Sequence, residues 1–432
     1  MSDAKIPKDI VATAPEVPPS EGLRPTGGPL ALLEVFRHRN YRLFFSGQLV
    51  SLMGTWITTV AQGWLVYSLT HSPLLLGVVS FASQVPVFFL SSFGGMVSDR
   101  VDRRKMLIVT QALSMVESAA LAILTLTGEI RVWQIVALAL FQGLVNAFDV
   151  PTRQAMTVEM VGREDLRNAI SLNSMMFNLA RVIGPPVGGL LVAIAGEGVC
   201  FALDAFSYGA VLVSLTLMQF AARPQRKTEH PLRELKAGFV YVWRVREIRV
   251  SLMLIAVCSA FGASYIPLLP AFARDVLHED SQGLGLLYGA IGFGALMGAY
   301  ALSHVGDRYL SRAPLVAAFA FGIALICFSQ SHWLPLSLFL LLPVSFSLML
   351  LGGATNTIVQ TVARDDMRGR AVSFYAMAFL GMMPWGSLVL GWLAERMSTS
   401  LAVTLGGAIC VFGAGLAYLD RRKEAWSLVQ DS

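Results

Sequence analysis

Four ionisable side chains fall inside stretches that are otherwise apolar: Glu117, Asp149, Arg181 and Asp204. A charge in such a setting is costly, so it marks a proton carrier, an ion pair or a ligand contact. The carboxyls of Glu117, Asp149 and Asp204 are the groups there able to take up and release a proton. Arg181 can hold an anion, or favour ionisation of a nearby carboxyl. Counting roughly 12 residues inward from the charged ends of their segments sets Glu117 and Arg181 at similar depth, about 18 Å. At that depth the two can pair. The competing readings are structural: a hydrogen bond between helices for Glu117, a partner to a nearby arginine cluster for Asp149, and half of an ion pair for Arg181.

Uncharged polar residues recur at helical spacing in the same stretches. Gln48, Ser51, Thr55, Thr58 and Gln62 stand at i, i+3, i+7, i+10 and i+14. Gln142, Asn146, Asp149 and Arg153 form a second stripe, Ser174, Asn178 and Arg181 a third, and Asn356 with Gln360 a short fourth. Such faces are expected to line a water-filled cavity; the alternative is hydrogen bonding that joins helices. Ala180, Gly184 and Gly188, and likewise Gly285, Gly289 and Gly292, form small-residue faces where helices approach closely.

Other chemistry finds little support. His71, His278, His304 and His332 fall at segment ends, and Cys200, Cys258, Cys327 and Cys410 lie in or beside apolar segments. Neither set has the spacing of a metal site or a disulfide framework. There is no clustered constellation for catalysis and no Gly-x-x-x-x-Gly-Lys loop for a nucleotide. No catalytic residue, metal or cofactor is therefore assigned, and a membrane-embedded enzyme is the least favoured class.

The elements carrying these residues are read from composition. The 432 residues are 55% hydrophobic and 14% charged, with mean hydropathy +0.61, against about 25% charged in soluble domains. Apolar blocks occur at 43–69, 74–97, 106–127, 132–151, 168–195, 199–220, 250–273, 284–304, 313–330, 333–362, 371–394 and 399–419. Each is near the length that crosses a bilayer. The expectation is an all-α membrane protein with twelve transmembrane helices in two six-helix halves.

Residues 1–35, rich in Pro and Gly, read as a disordered tail with no removable signal peptide. The first half then covers 36–221, a linker 222–248, the second half 249–420 and a tail 421–432. In the linker Leu232, Leu235, Phe239 and Val242 repeat at helical spacing beside Arg233, Lys236, Arg244 and Arg246. They suggest a helix lying on the membrane or packed on the protein.

The net charge is +5. It reflects basic loops on one side rather than nucleic-acid binding: Arg37/Arg39/Arg42, 99–105, Arg153/Arg163/Arg167, 223–249, 306–312, Arg364/Arg368/Arg370 and 420–423. The intervening loops hold few basic residues, so the basic side and both termini are expected in the cytoplasm. GREDLRNAISLNSM at 162–175 is echoed by ARDDMRGRAVSFYAM at 363–377, and SDRVDRRK at 98–105 by GDRYLSR at 306–312. The two halves thus read as parallel repeats.

On GGMVSDRVDRRK, 94–105, the chain resembles the major facilitator superfamily. Gly95, Asp99, Arg100, Arg103 and Arg104 match its loop motif, and Asp102 stands where the family usually has glycine. The resemblance implies a gating loop, with Asp149 completing its charge network. Gly184, Pro185, Gly188 and Gly189 of GPPVGG resemble the superfamily's antiporter motif. LFFSGQLVSLMGTW at 43–56, EHPLRELKAGF at 229–239 and GLLYGAIGFGALMGA at 285–299 are similar to its enterobactin-exporter and macrolide-efflux subgroup. Together these imply a monomeric multi-pass transporter of the bacterial inner membrane, exporting small amphipathic drug- or siderophore-like compounds by proton antiport. A nutrient importer on the same fold is the alternative. Many such antiporters carry an arginine three residues before Gln142-Gly143, where this chain has Ala139. Coupling is then left to Asp149, Glu117 or Asp204.

Overall fold

A computed structural model describes residues 34–162, 164–218, 239–365 and 367–430. The described elements are helical. The twelve principal ones are α1 (Arg39–Thr70), α2 (Pro73–Ser98), α3 (Arg103–Leu126), α4 (Val132–Val161), α5 (Leu166–Ala195), α6 (Glu197–Leu217), α7 (Arg246–Val276), α8 (Ser281–Leu302), α9 (Ala313–Ser329), α10 (Leu334–Val362), α11 (Arg368–Arg396) and α12 (Thr399–Gln430). Eleven are long and apolar enough to cross a membrane, and Ala313–Ser329 is a shorter apolar helix. Of the tail expected over 1–35, residues 1–33 lie outside the described residues, as do the linker positions Leu232, Arg233, Leu235 and Lys236, while Glu34–Arg37 is a 3₁₀ turn with Val35 buried. The end of the linker is described and packs on the second half. Val242 is buried, Phe239 stacks on Trp243 and tilts against Phe374, and the Arg364 N–H donates to the Tyr241 hydroxyl at 2.9 Å.

Helix ends follow local chemistry. Ser72 accepts from the Leu75 N–H with Pro73 opening α2, and Asp280 caps α8 through Gln282 and Gly283. Asp102, the departure from the family loop, is the N-cap of α3, accepting from the Arg104 and Lys105 N–H groups at 2.9 and 3.2 Å. The aspartate thus has a capping task that glycine would not perform. His71 and His278 follow α1 and α7, and both take positive φ, 50° and 57°. The two repeats thus leave corresponding helices through the same left-handed turn.

Packing repeats in the same way. α2 lies on α4 as α8 lies on α10, and α3 on α6 as α9 on α12; α1 packs on α5 and α6. The halves meet along α5–α8 and α2–α11. On the first line a Cβ at Gly285 would stand 2.6 Å from the Pro185 carbonyl oxygen, so only glycine allows the approach.

Hydrogen bonds joining the halves cluster at the end away from the basic loops. Tyr67 donates to Asp275, Arg274 reaches Ser68 at 3.3 Å, and Glu395 accepts from the Ser72 hydroxyl at 2.7 Å and the Leu74 N–H at 3.3 Å. Toward the basic end the contact stops. The Arg181 carbonyl lies against Gly292, and Val182 is beside it, but Met175, two turns along that face, is 63% exposed. The bundle is sealed at the distal end and open between its halves at the basic end.

Gly285→Leu should therefore destabilise the purified protein by about 1–3 kcal/mol through overpacking. Gly415→Ala, which meets nothing within 4 Å, should leave the melting temperature unchanged. Thermal unfolding in detergent measures both; equal melting temperatures would contradict the close α5–α8 contact.

Candidate transport site and its polar seam

The polar stripes of α1 and α4 converge inside the first half rather than on the gap between the halves. α6 comes close on the stripe side of α1, because a Cβ at Gly47 would stand 2.6 Å from Ser214 Oγ and one at Gly54 2.5 Å from Asp204 Oδ1. Gln48 and Ser51 are consequently buried, and Gln48 borders a narrow gap with Gln111, Arg153 and Leu215. Thr58 donates to Asp204 at 3.0 Å. On α4, Gln142 donates to Ser114 Oγ at 3.1 Å and to Asn146 at 3.4 Å. Of the residues expected to line a cavity, Gln48 and Ser51 are enclosed within the first half, and Thr58 and Gln142 hydrogen-bond within it. Thr55 is exposed, and Gln62 and Asn146 are half-buried.

The hub of this seam is α3. Thr110, Gln111, Ser114, Glu117 and Ser118 are all buried, at i, i+1, i+4, i+7 and i+8. That stripe was visible in the sequence as TQ–S–ES at helical spacing, and a count of polar residues on the third apolar block would have found it. It leads from Asp149, which accepts from Thr110 and Gln111 at 2.8 Å each, to a carboxyl pair. Glu117 and Asp204 share the Ser118 hydroxyl, 3.4 and 2.9 Å away, and Ser207 donates to Asp204 Oδ1 at 3.3 Å. The two residues are 5% and 2% exposed, and neither has an ion-pair partner among the described residues. Two carboxyls enclosed together without a cation beside them are costly to charge at the same time.

Glu117 does not pair with Arg181. Their similar depth placed them together, but α3 packs on α4 and α6, whereas α5 packs on α1 and α8. Arg181 is half-buried beside the opening between the halves, with Asn178 on the same face; Asn178 donates to the Ser174 carbonyl at 2.8 Å. Asn356 is half-buried and accepts from the exposed Gln360 at 3.1 Å. In the GPPVGG segment Gly184 admits Trp56 and Gly188 admits the Ile57 backbone, while Gly189 faces Gly285 of the second half. Pro185 and Pro186 lie inside a helix that continues through them. No group of three or more His, Cys, Asp or Glu side chains suited to a metal occurs among the described residues.

A family model described as transmembrane secretion effector matches residues 30–429. The chain belongs to this family of major facilitator transporters. It is 28% identical over 379 residues to the staphyloferrin A transporter of Staphylococcus aureus, spanning 86% of this chain and 94% of that one. It is 28% identical over 389 residues to the multidrug efflux pump Tap of Mycolicibacterium fortuitum, with 85% and 94% covered. The enterobactin exporter EntS of Shigella boydii is 26% identical over 392 residues, with 88% and 90% covered. A bacterial homologue of the human lysosomal transporter Spinster, solved inward-facing and unoccupied, shares the fold with TM-score 0.68 at 12% identity, covering 92% of this chain and 98% of that one.

In this transporter the loop motif ties the first half to itself. Arg103 bridges Asp99 at 2.6 Å and Glu159 at 2.7 Å, and Arg104 donates to the Leu215 and Thr216 carbonyls at 2.7 and 2.6 Å. The acid expected to complete the network was Asp149. It is instead buried one turn from Arg153, with which it pairs, and Glu159 on the extended end of α4 takes the place beside Arg103. Gly95 faces Pro151 loosely, and Arg100 is exposed at the turn. Alongside, Arg37 and His38 clasp Asp165 at 2.8 and 2.7 Å. The His38 hydrogen bond, with Arg37 beside it, holds the Asp165 carboxyl below the usual carboxylate range. The clasp is therefore intact at neutral pH and lost as pH falls through that lowered range.

Removing one member of the Asp149–Arg153 pair leaves a buried, uncompensated charge. Arg153→Met is expected to destabilise by about 3–5 kcal/mol. The double variant with Asp149→Asn should recover most of that loss, as read by melting temperature and yield of inserted protein. A double variant no more stable than Arg153→Met would remove the pairing argument.

Proposed function

We propose that this transporter exports small amphipathic organic compounds of drug- or siderophore-like character, acting as a monomer by proton antiport and alternating access. The observation that carries the coupling is the Glu117–Asp204 pair, two buried carboxyls with hydroxyl partners and no ion-pair partner among the described residues. On this reading the pair loads a proton in one orientation of the halves and releases it in the other, through the hydroxyls and amides of α3. Residues 36–221 and 249–420 act as the two moving halves, joined by 222–248.

The export direction is supported by the relatives, two of which are named as an efflux pump and an exporter. It is also supported by the GPPVGG segment at the contact of α5 with α1 and α8. On this reading the basic end, and both termini with it, lies in the cytoplasm of a bacterial inner membrane. The opening between the halves then faces the cytoplasm, where a compound for export is collected. The Asp99–Arg103–Glu159 network braces the first half at that face as it moves.

Two measurements test this. Cells lacking the gene should accumulate at least one compound from a panel of labelled drugs and metal chelators several-fold more than cells carrying it. Reduced accumulation in their place would establish import. In proteoliposomes, Glu117→Gln with Asp204→Asn should lower transport driven by a pH gradient at least tenfold, while exchange without a gradient continues. Gradient-driven transport at the wild-type rate would remove the pair from coupling.

A further inference from the structure

The arginines deepest in this fold are accounted for by their neighbours, except one. Arg103 has Asp99 and Glu159, Arg153 has Asp149, and Arg274 has Ser68 and the Trp64 ring, 5.9 Å from its centroid. Arg181, at the middle of α5, has neither an ion-pair nor a hydrogen-bond partner among the described residues. Its guanidinium presents five N–H donors, which are left to water in the opening or to a ligand.

Its position makes this pointed. Ile183, Val187, Leu190 and Ile194 are exposed along the outer face of α5. Arg181 lies on the other side with Ser174 and Asn178. Toward the distal end this side is closed at once: Gly184 meets Trp56, Gly188 meets Ile57, and Gly189 meets Gly285. Toward the basic end it is open. Arg181 is thus the first residue met at the closed floor of the vestibule.

A second observation comes from α7. That helix loses regular geometry at its centre, passing through a π turn at Cys258–Gly262, a 3₁₀ stretch at Ala263–Leu268 and a second π turn at Phe272–Val276. Interrupted helices at mid-membrane mark ligand sites. Tyr265 sits in the 3₁₀ stretch, 1% exposed, and its hydroxyl is buried without a hydrogen-bond partner. The stretch lies close to the α5 contact: Tyr288 of α8, one turn before the Gly292 that meets the Arg181 carbonyl, donates to the Ile266 carbonyl at 3.3 Å. One half thus offers a cation and the other a hydroxyl donor, each without a hydrogen-bond partner among the described residues.

We propose that Arg181 holds an acidic group, a carboxylate or an anion of similar size, on the compound this transporter carries, with Tyr265 as a second donor from the opposite half. The preferred substrates are then acidic or zwitterionic amphipaths, and purely cationic compounds are disfavoured. The inference rests on the exporter reading for its setting, but not on the direction of transport or on the proton pair. The anion also supplies a physical link between the halves, because it is held by a residue from each.

The test uses the full-length protein in detergent and a panel of aromatic carboxylates and sulfonates, each matched with its neutral amide. In thermal-shift measurements at least one anion should stabilise the wild type, and its amide should not. Arg181→Gln should lose that shift, with affinity falling at least tenfold, and Arg181→Lys should keep part of it. Tyr265→Phe, which deletes only an unpartnered hydroxyl, should fold normally and weaken the anion several-fold. The proposal is overturned if no anion stabilises the wild type more than Arg181→Gln, if the amides stabilise equally, or if Tyr265→Phe binds as the wild type does. Efflux of the bound anion from cells separates the two readings: binding through Arg181 with inward transport refutes export alone, and export unaffected by Arg181→Gln refutes this site alone.

Discussion

The constraint on which this structure depends is the absence of water around the helices. A polar group in the hydrocarbon must find its partner within the protein or remain costly. Most of the polar side chains here meet that demand locally. Thr55, Thr59, Thr70, Thr152, Thr357 and Thr361 return their hydroxyls to a carbonyl one turn back. Charged groups cannot be satisfied so simply, and the few that enter the membrane organise what surrounds them. Asp149 draws Thr110, Gln111 and Arg153 together, and Asp204 draws Thr58, Ser118 and Ser207.

The demand divides the two halves unequally. Among the described residues the buried carboxyls, Glu117, Asp149, Asp165 and Asp204, all belong to the first half. The second half is built on the largest apolar cluster, which runs from Val250 through Phe272 and Phe328 to Ala414. Its irregularities are in the backbone instead. α7 is broken at its centre, and α11 is interrupted between Phe379 and Met383. The two breaks are stitched together, Ser259 donating to the Phe379 carbonyl and Ser264 to the Met383 carbonyl at 3.0 Å. Equivalent topology thus differs in content: buried carboxyls in one repeat and interrupted helices in the other.

The two halves touch through backbone rather than side chains on one line and through polar ends on another. Gly189 and Gly285 let α5 and α8 meet at carbonyl distance, and Gly77 does the same for α2 against Ser387. Contacts of this kind are short-range and lack long interlocking side chains, so they can separate and re-form without repacking a core. Tyr67, Arg274 and Glu395 add polar bonds between the halves at the distal end.

The sequence by itself determined the membrane architecture. Twelve apolar blocks, the basic loops and the repeated motifs set helix number and kinship, because hydropathy and charge act through the bilayer, which every residue meets alike. It also marked the ionisable residues that the fold encloses, Glu117, Asp149 and Asp204 buried and Arg181 half-buried, since a charge in an apolar run is legible without coordinates. What it left open was which way each face turns. Gln48 and Gln142 sit on stripes that suit a cavity wall or a helix contact equally well, and only the close approach of α6 at Gly47 and Gly54 and of α3 at Ser114 decided for contact. Depth along a helix likewise suggested that Glu117 meets Arg181. Depth is one coordinate, and lateral packing supplied the other two, putting Glu117 beside Asp204 and leaving Arg181 alone at the vestibule floor. Helix spacing belongs to a single chain segment, whereas a site is made by segments far apart in the chain, and only the tertiary fold brings those faces together.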